Sequence, residues 1–289
     1  MDSWLTHFLA AEDLPPDFAR TMARVCEPLA EQIACAAQTT SWTTVVGLCG
    51  AQGSGKSTIA AVTAHLLEAR GLSVAVLSLD DFYLTHVQRQ DLARRVHPLL
   101  ATRGVPGTHN ISLSLRVMSA LAGQGEVSLP RFDKGRDDRA PISDWRLVTA
   151  PVDVVLLEGW CVGARPQAQN DLVAPVNDLE REFDPDGIWR TFANTALAGP
   201  YQDLFGRIDL LVLLQAPGFE TVLGWRREQE AKLRARLAKE GSKPGRTMSN
   251  AEIGRFIAHY ERLTRWILEE MPARADVVVR LDADRRPQI

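Results

Sequence analysis

With 289 residues, 45% of them hydrophobic and 24% charged, the chain can bury one large α/β core or two small ones, which excludes a fibrous, disordered or disulfide-built protein. Its 33 basic and 36 acidic residues leave a net charge of −3, which argues against a polyanion-binding domain, so no nucleic-acid partner is expected. Cys26, Cys35, Cys49 and Cys161 form no C-x-x-C pair, no run approaches a membrane span, and the acidic N-terminus reads as neither a signal nor a transit peptide; a cytoplasmic protein without membrane attachment is expected.

Residues 1–40 read as two or three helical pieces, broken at Pro15-Pro16 and Pro28, that form a helical extension packed on the core. The apolar run from Thr44 to Cys49 has the length and β-branched content of a buried parallel strand. Directly after it, Gly50 to Ser57 reads G-A-Q-G-S-G-K-S and fits the phosphate-loop pattern G-x-x-x-x-G-K-(S/T). Ile59, Val62, Thr63, Leu66 and Leu67 then recur at helical spacing. Strand, glycine turn and helix start together make an anion cradle of backbone N–H groups. Gly50, Gln52, Gly53, Ser54, Gly55, Lys56, Ser57 and Thr58 are the candidate nucleotide-binding residues. In this motif Lys56 reaches the β- and γ-phosphates, and the Ser57 hydroxyl sits on Mg²⁺.

A second buried strand, from Ser73, ends in Asp80-Asp81. A mixed segment and a short helix, "ISLSLRVMSALAGQG", follow. The stretch "EVSLPRFDKGRDDRAP" reads as a short strand leading into a charged loop. A third buried strand, Asp153 to Trp160, ends in Glu158-Gly159. Residues 161–203 read as irregular and proline-rich apart from a helical piece at "NDLERE". A fourth strand, "RIDLLVLLQAP", a long charged helix, a second helix and a last strand, "DVVVRLDA", close the chain. The alternation predicts an α/β fold, a P-loop NTPase three-layer sandwich with a mainly parallel sheet. The expected organisation is a helical extension over residues 1–40 and one kinase domain over 41–289, with a helical lid around 225–250.

Ligands of an open parallel sheet bind beyond the carboxyl ends of its strands. Three predicted strands deliver there the phosphate loop, Asp80-Asp81 and Glu158. That is the equipment of Mg²⁺-dependent phosphoryl transfer, with an acid to position or deprotonate an attacking hydroxyl. Asp80-Asp81 also suits a plain turn at a strand end. Glu158 has less freedom, because a carboxylate after four apolar strand residues is costly without a cation or a hydrogen-bond partner. The "RFDKGRDDRAP" loop reads equally as a recognition loop for an anionic substrate and as a self-neutralised surface loop. The same choice holds for the helix with Arg226, Arg227, Lys232, Arg234 and Arg236, which is either a lid that lays arginines on phosphate or an exposed face. The six histidines show no metal-ligand spacing; His109, in a turn beside Asn110, stands out among them.

The segments "GLCGAQGSGKSTI", "SLDDFYLT", "RGVPGTHN", "LPRFDKGRDDRAP", "LLEGWCVGARP" and "WRREQE" occur in the order in which similar segments occur in plant- and fungal-type D-glycerate 3-kinases and their bacterial relatives. These are P-loop kinases near uridine kinase, phosphoribulokinase and pantothenate kinase. The resemblance runs from about Val45 to "DADRRP" and leaves residues 1–40 largely uncovered. It implies transfer of the γ-phosphate of ATP, with Mg²⁺, to a hydroxyl of D-glycerate, a small anionic hydroxy acid, giving 3-phosphoglycerate. It makes Asp80 the base, Ser57 and Glu158 the residues serving Mg²⁺, Lys56 a phosphate ligand and Arg226 the lid arginine. Asp81, Tyr83, Arg131 and Lys134 are the candidate acceptor-site residues, with Arg131 and Lys134 assigned to the carboxylate. A monomer or homodimer is expected. The segment "KEGSKPGRTMS" is longer and more basic than expected of the plant enzymes, which bears on acceptor specificity. Beside a catalytically idle nucleotide-binding protein, against which the intact Lys56, Ser57, Asp80 and Glu158 speak, two rival readings remain. One is a kinase of a nucleoside or pantothenate-like acceptor, for which Phe82, Tyr83 and Trp160 supply stacking surfaces. The other is an NTPase switch, against which stands the lack of an N-K-x-D guanine-reading motif.

Overall fold

The computed structural model describes residues 3–12, 14, 15, 17–239 and 247–288. Helix α1 (Ser3–Ala11) is followed by a helical run made of α2 (Phe18–Thr21), a π-helical turn (Met22–Cys26) and α3 (Glu27–Thr39). Pro28 does not break this run, contrary to the expectation from sequence. It lies in the first turn of α3, directly after a π-helical turn, a position where proline's missing N–H is tolerated.

The core begins with β1 (Thr44–Gly50), α4 (Lys56–Glu68), β2 (Val74–Ser78), α5 (His86–Arg95) and α6 (Ile111–Leu121). Four short strands follow, β3 (Gly125–Leu129), β4 (Phe132–Asp133), β5 (Asp138–Arg139) and β6 (Arg146–Ala150), then β7 (Val154–Gly159). The chain continues through α7 (Asp178–Phe183), α8 (Ile188–Ala198), α9 (Pro200–Phe205), β8 (Leu210–Gln215), α10 (Phe219–Lys239), α11 (Asn250–Glu270), β9 (Val277–Leu281) and β10 (Pro287–Gln288).

Six strands form one sheet in the order β10–β9–β8–β1–β7–β2, parallel throughout except for the terminal β10. Both faces are covered, as the near-continuous apolar strands require. Val45 and Cys49 of β1, with Val155 and Leu157 of β7, face a cluster that includes Val117 and Leu121 of α6, Leu204 of α9 and Ile267 of α11. The alternate residues Val46, Leu48, Val154 and Leu156 face a second cluster that includes Leu29 and Ile33 of α3, Ile59 and Leu67 of α4 and Val222 of α10. This is the expected α/β three-layer arrangement.

Two regions depart from the sequence reading. Residues 161–203 hold three helices rather than one. The buried Trp189 and Leu197 share a face of α8, and Pro200 opens α9 at a first-turn position that proline suits. The strand before the charged loop, β3, is not part of the parallel sheet. It pairs antiparallel with β6, a strand the sequence reading left out, and the charged loop between them folds as the small β4–β5 hairpin.

Candidate functional site

Register brings the carboxyl ends of three strands level. Leu48 of β1 and Ser78 of β2 both lie beside Glu158 of β7. The phosphate loop leaves β1 at Gly50 and enters α4 at Lys56. Gly53 has φ +77°, and a Cβ there would sit 2.7 Å from Cβ of Trp225, so the loop backbone packs directly on the start of α10. Only glycine meets both demands.

Glu158 is 5% exposed. Its Oε1 accepts from the Ser57 hydroxyl at 3.2 Å, and Lys56 Nζ lies 3.9 Å from Oε2, an ion pair too long to be a hydrogen bond. Oε2 therefore stays buried without a hydrogen-bond partner. In the loop the Ser54 hydroxyl and Gln52 Oε1 are likewise buried and unpartnered, whereas Ser57 is exposed and Gly55 and Thr58 are half-buried. Polar groups left in this state beside a row of backbone N–H groups suit a polyanion and its cation.

Asp80 and Asp81 lie on a 3-10 turn (Leu79–Phe82) directly after β2, not within a strand. The Asp80 carboxylate receives the Tyr83 hydroxyl on Oδ1 at 3.0 Å and Lys134 Nζ on Oδ2 at 2.7 Å. Burial works to raise its pKa; Lys134 and Lys56 outweigh that effect and hold the carboxyl well below the usual carboxylate range. Asp81 behaves oppositely. Burial, with the neighbouring charges of Asp80 and Glu158, pushes it up to about 6 against a lowering contribution from the Phe132 N–H. Its Oδ1 accepts that N–H at 2.9 Å, which fastens the β4–β5 hairpin to the turn.

The hairpin is thus built into the site rather than solvated and separate. Lys134 points at Asp80. Arg139 donates to the carbonyl of Tyr83 at 3.0 Å, and Asp138 accepts the N–H of His86 at 3.1 Å. Arg131, by contrast, is exposed at the mouth of the hairpin. Two arginines not singled out from sequence complete this wall. The fully buried Arg89 donates to Leu84 O, Ala101 O and Asp137, and Arg103 pairs with the same Asp137. Their guanidinium groups lie 5.6 and 5.5 Å from the Phe132 ring centroid.

His109 is stacked on Tyr83, with ring centroids 4.4 Å apart, and shares a 2.6 Å hydrogen bond with Tyr201. Burial lowers its pKa to about 4, so the ring is neutral, and its Nε2 is buried without a partner. Gly104 has φ +143°, and a Cβ there would collide with the Tyr260 hydroxyl, which donates to Arg103 O at 3.2 Å. This contact ties α11 to the acceptor wall.

Arg226, on α10, pairs with the buried Glu230 at 2.9 Å and lies over Phe256, which in turn packs on Tyr260. Lys232 lies 3.8 Å from Glu228, Arg227 is exposed, and Arg234 donates to Met248 O at 2.7 Å. The Arg236 side chain and residues 240–246 of the expected lid lie outside the described residues. Phe82, Tyr83 and Trp160 are only 0, 2 and 3% exposed, so none presents a free face for stacking a nucleoside.

No family model matches the chain. The "uncharacterized kinase mug58" of Schizosaccharomyces pombe is 35% identical over 226 residues, which is 75% of this chain and 78% of that protein. The chain belongs to that kinase family. A second relative of the kinase is the chloroplastic D-glycerate 3-kinase of Arabidopsis thaliana, 31% identical over 227 residues; the match takes in 75% of this chain and 46% of the plant protein, about half its length. Among solved structures, the D-glycerate 3-kinase of Cryptococcus neoformans var. grubii superposes with a TM-score of 0.74 at 24% identity, covering 91% of the kinase and 97% of that chain. That likeness bears on the fold, which is the P-loop kinase fold.

Among the described residues of the kinase, no helix is long and apolar enough to cross a membrane, and no group of three or more His, Cys, Asp or Glu could hold a metal ion by itself. Arg103 and Tyr260 were missed because each reaches the site through tertiary contacts. Arg103 had a sequence signal in the turn-rich "RGVPGTHN" segment that it opens, whereas Tyr260, in the middle of α11, had none.

Proposed function

We propose that this kinase transfers the γ-phosphoryl group of ATP to the 3-hydroxyl of D-glycerate. The observation that carries the reading is an ionised Asp80, held between Tyr83 and Lys134 at the end of β2, next to the phosphate loop at the end of β1. The names of the plant and fungal relatives support glycerate as the acceptor. So does the burial of all three aromatic side chains that a nucleoside acceptor would need.

In this reading the backbone from Gly50 to Thr58, including Gln52, Gly53, Ser54 and Gly55, cradles the phosphates, and Lys56 neutralises the transferring group. Asp80 accepts a hydrogen bond from the acceptor hydroxyl and takes its proton as the oxygen attacks. Tyr83 and Lys134 fix the carboxylate. Asp81 positions the hairpin through the Phe132 N–H. The acceptor carboxylate meets the cations of this wall, Lys134 and Arg131 from the hairpin and Arg103 from the facing loop. Arg226 exchanges Glu230 for the transferring phosphoryl group. Ser57 and Glu158 hold Mg²⁺, Glu158 through water; the unpartnered Glu158 Oε2 fits that role. When bound there, Mg²⁺ would supply neutralisation of phosphate charge. The N-terminal helices are an extension of a single kinase domain. The reading is of a monomer or a homodimer. Cys26, Cys49 and Cys161 are buried free thiols, which suits a reducing, cytoplasmic setting.

The test is ADP release with Mg²⁺ and ATP in the presence of D-glycerate, L-glycerate, uridine or pantothenate, each alone. Strong stimulation by D-glycerate only, with 3-phosphoglycerate as product, is expected. Stimulation by a different compound reassigns the acceptor, and steady hydrolysis indifferent to all four overturns the glycerate reading in favour of an NTPase switch or an acceptor outside this set.

A further inference from the structure

The helical segment ahead of the core has no part in the chemistry above, yet it forms one side of a large cavity beside the phosphate loop. That cavity has a volume of about 1040 Å³. Its floor is the phosphate loop and the start of α4, from Gly53 to Ile59. Its walls are the Asp17–Val25 stretch of α2 and the π-helical turn on one side and the Leu281–Pro287 tail after β9 on the other. Asp80, Lys134 and Arg103 are not among its lining residues. The phosphate loop fixes where a triphosphate lies, so a cavity that runs from the loop away from the acceptor wall is the place for whatever the triphosphate is attached to.

The walls are fixed to each other and to the loop. Arg285 donates to Gly53 O at 2.6 Å, pairs with Glu228 at 2.6 Å and lies over the Trp225 ring. Arg286 reaches Asp17 at 3.7 Å and Asp284 at 3.3 Å, which joins the tail to the N-terminal segment. The segment is held from beneath, because Val25 and Cys26 are buried in the core cluster that also contains Ile59 and Ala60 of α4. Several carboxylates of the cavity are therefore already matched by cations. Arg20 and Arg24, one helical turn apart on the cavity side, are different. Among the described residues neither guanidinium has a hydrogen-bond or ion-pair partner.

We propose that Arg20 and Arg24 bind the nucleoside end of the phosphate donor, so that the helical segment preceding the core is a working part of the nucleotide site. A guanidinium plane both stacks on an aromatic ring and donates to ring nitrogens and hydroxyls, which is the chemistry a base and ribose offer. The proposal rests on the reading of the chain as an ATP-dependent kinase.

The experiment is calorimetric titration of the full chain with ATP and, separately, with inorganic triphosphate, for the wild type and an Arg20→Ala/Arg24→Ala variant. Unfolding temperature without ligand checks that the variant folds; both side chains are exposed, so it should match the wild type. ATP affinity is expected to fall about tenfold in the variant, a loss worth roughly 1.4 kcal/mol. Triphosphate affinity and the acceptor KM should stay unchanged. Unchanged ATP affinity overturns the proposal. So does an equal loss for ATP and triphosphate, which would mean a general charge effect rather than a nucleoside contact. A wild type that binds triphosphate but gains nothing from the nucleoside overturns it as well. A wild type that binds neither ligand defeats the underlying donor reading instead.

Discussion

Lys134 Nζ stands 2.7 Å from Asp80 Oδ2, across 54 residues of sequence, while Tyr83 donates to the other oxygen of the same carboxylate at 3.0 Å. Burial pulls the Asp80 pKa upward, and the two lysines, Lys134 and Lys56, more than reverse it. As the proposed base, Asp80 would be active when ionised, and its pKa would then set the acid limb of the kcat/KM profile. In Lys134→Met the largest lowering contribution is gone, and the acid limb should move to higher pH by about 1–3 units. An acid limb that stays in place would detach either Asp80 or Lys134 from the reaction.

Asp80→Asn keeps the shape of the side chain and an oxygen for the Tyr83 hydroxyl but cannot take a proton. Its kcat should fall by about 10²- to 10⁴-fold, the usual worth of a positioned general base. ATP affinity, measured by titration, should stay within about twofold, because the phosphate ligands are elsewhere. Full turnover in this variant would show that the hydroxyl needs no help from Asp80.

Ser57 reaches Glu158 Oε1 at 3.2 Å, and the two form the proposed Mg²⁺ site. Ser57→Ala removes one of the two proposed ligands and leaves Glu158 in place. The Mg²⁺ concentration for half-maximal activity at saturating ATP should rise about tenfold, with kcat partly restored at high Mg²⁺. A Mg²⁺ dependence identical to wild type would place the cation elsewhere.

Much of this site was legible before the fold was known, and the reason is local. The phosphate loop and Asp80-Asp81 follow directly on buried strands, Glu158 is the next-to-last residue of another, and a parallel sheet gathers strand ends at one edge. Periodicity was enough for those. It was not enough for Arg103, His109 and Tyr260, which come from a turn-rich segment and from the middle of α11 and meet only when Tyr260 packs against Gly104. The β4–β5 hairpin illustrates the same limit. Its mixed charges look like a surface loop until Asp81 accepts the Phe132 N–H and Lys134, still largely exposed, pairs with Asp80. The missed helices α8 and α9 lie in a stretch rich in Gly, Pro and Asp, whose local preferences favour turns; burial of Trp189, Leu197 and Tyr201 overrides them.

Asp81 gives a pH signature in stability rather than in turnover. Its folded pKa is raised from 3.8 to about 6, so the folded state holds this proton more tightly than the unfolded chain does. The stabilisation is complete below pH 3.8 and is lost as pH rises through about 6. Asp81→Asn carries no charge and can still accept the Phe132 N–H. Its unfolding temperature should therefore exceed that of the wild type above pH 6 and approach it towards pH 4. The gain at neutral pH should be about 1 kcal/mol after allowance for solvent screening, or roughly 2–4 °C. A difference in unfolding temperature that does not vary with pH would mean that the Asp81 carboxylate is not under this constraint.

Arg262 on α11 and Glu180 on α7 form a pair of a different kind, with no role in the chemistry. Two hydrogen bonds of 2.8 and 2.6 Å join them, and their side chains are only 9 and 1% exposed. The same guanidinium donates to Asp171 O at 2.8 Å and Ala174 O at 2.6 Å, so one side chain fastens α7 and the preceding loop onto α11. Arg262→Met leaves a buried carboxylate without its cation and two carbonyls without a donor. That should cost about 3–5 kcal/mol in urea unfolding, whereas kcat of the folded variant stays near wild type. Glu180→Leu added to Arg262→Met removes the stranded charge as well, and most of the loss should return, because a buried pair stabilises little relative to apolar residues of similar size. If the single and double variants unfold at the same urea concentration, the cost lies in the lost carbonyl partners and packing, not in the isolated charge of Glu180.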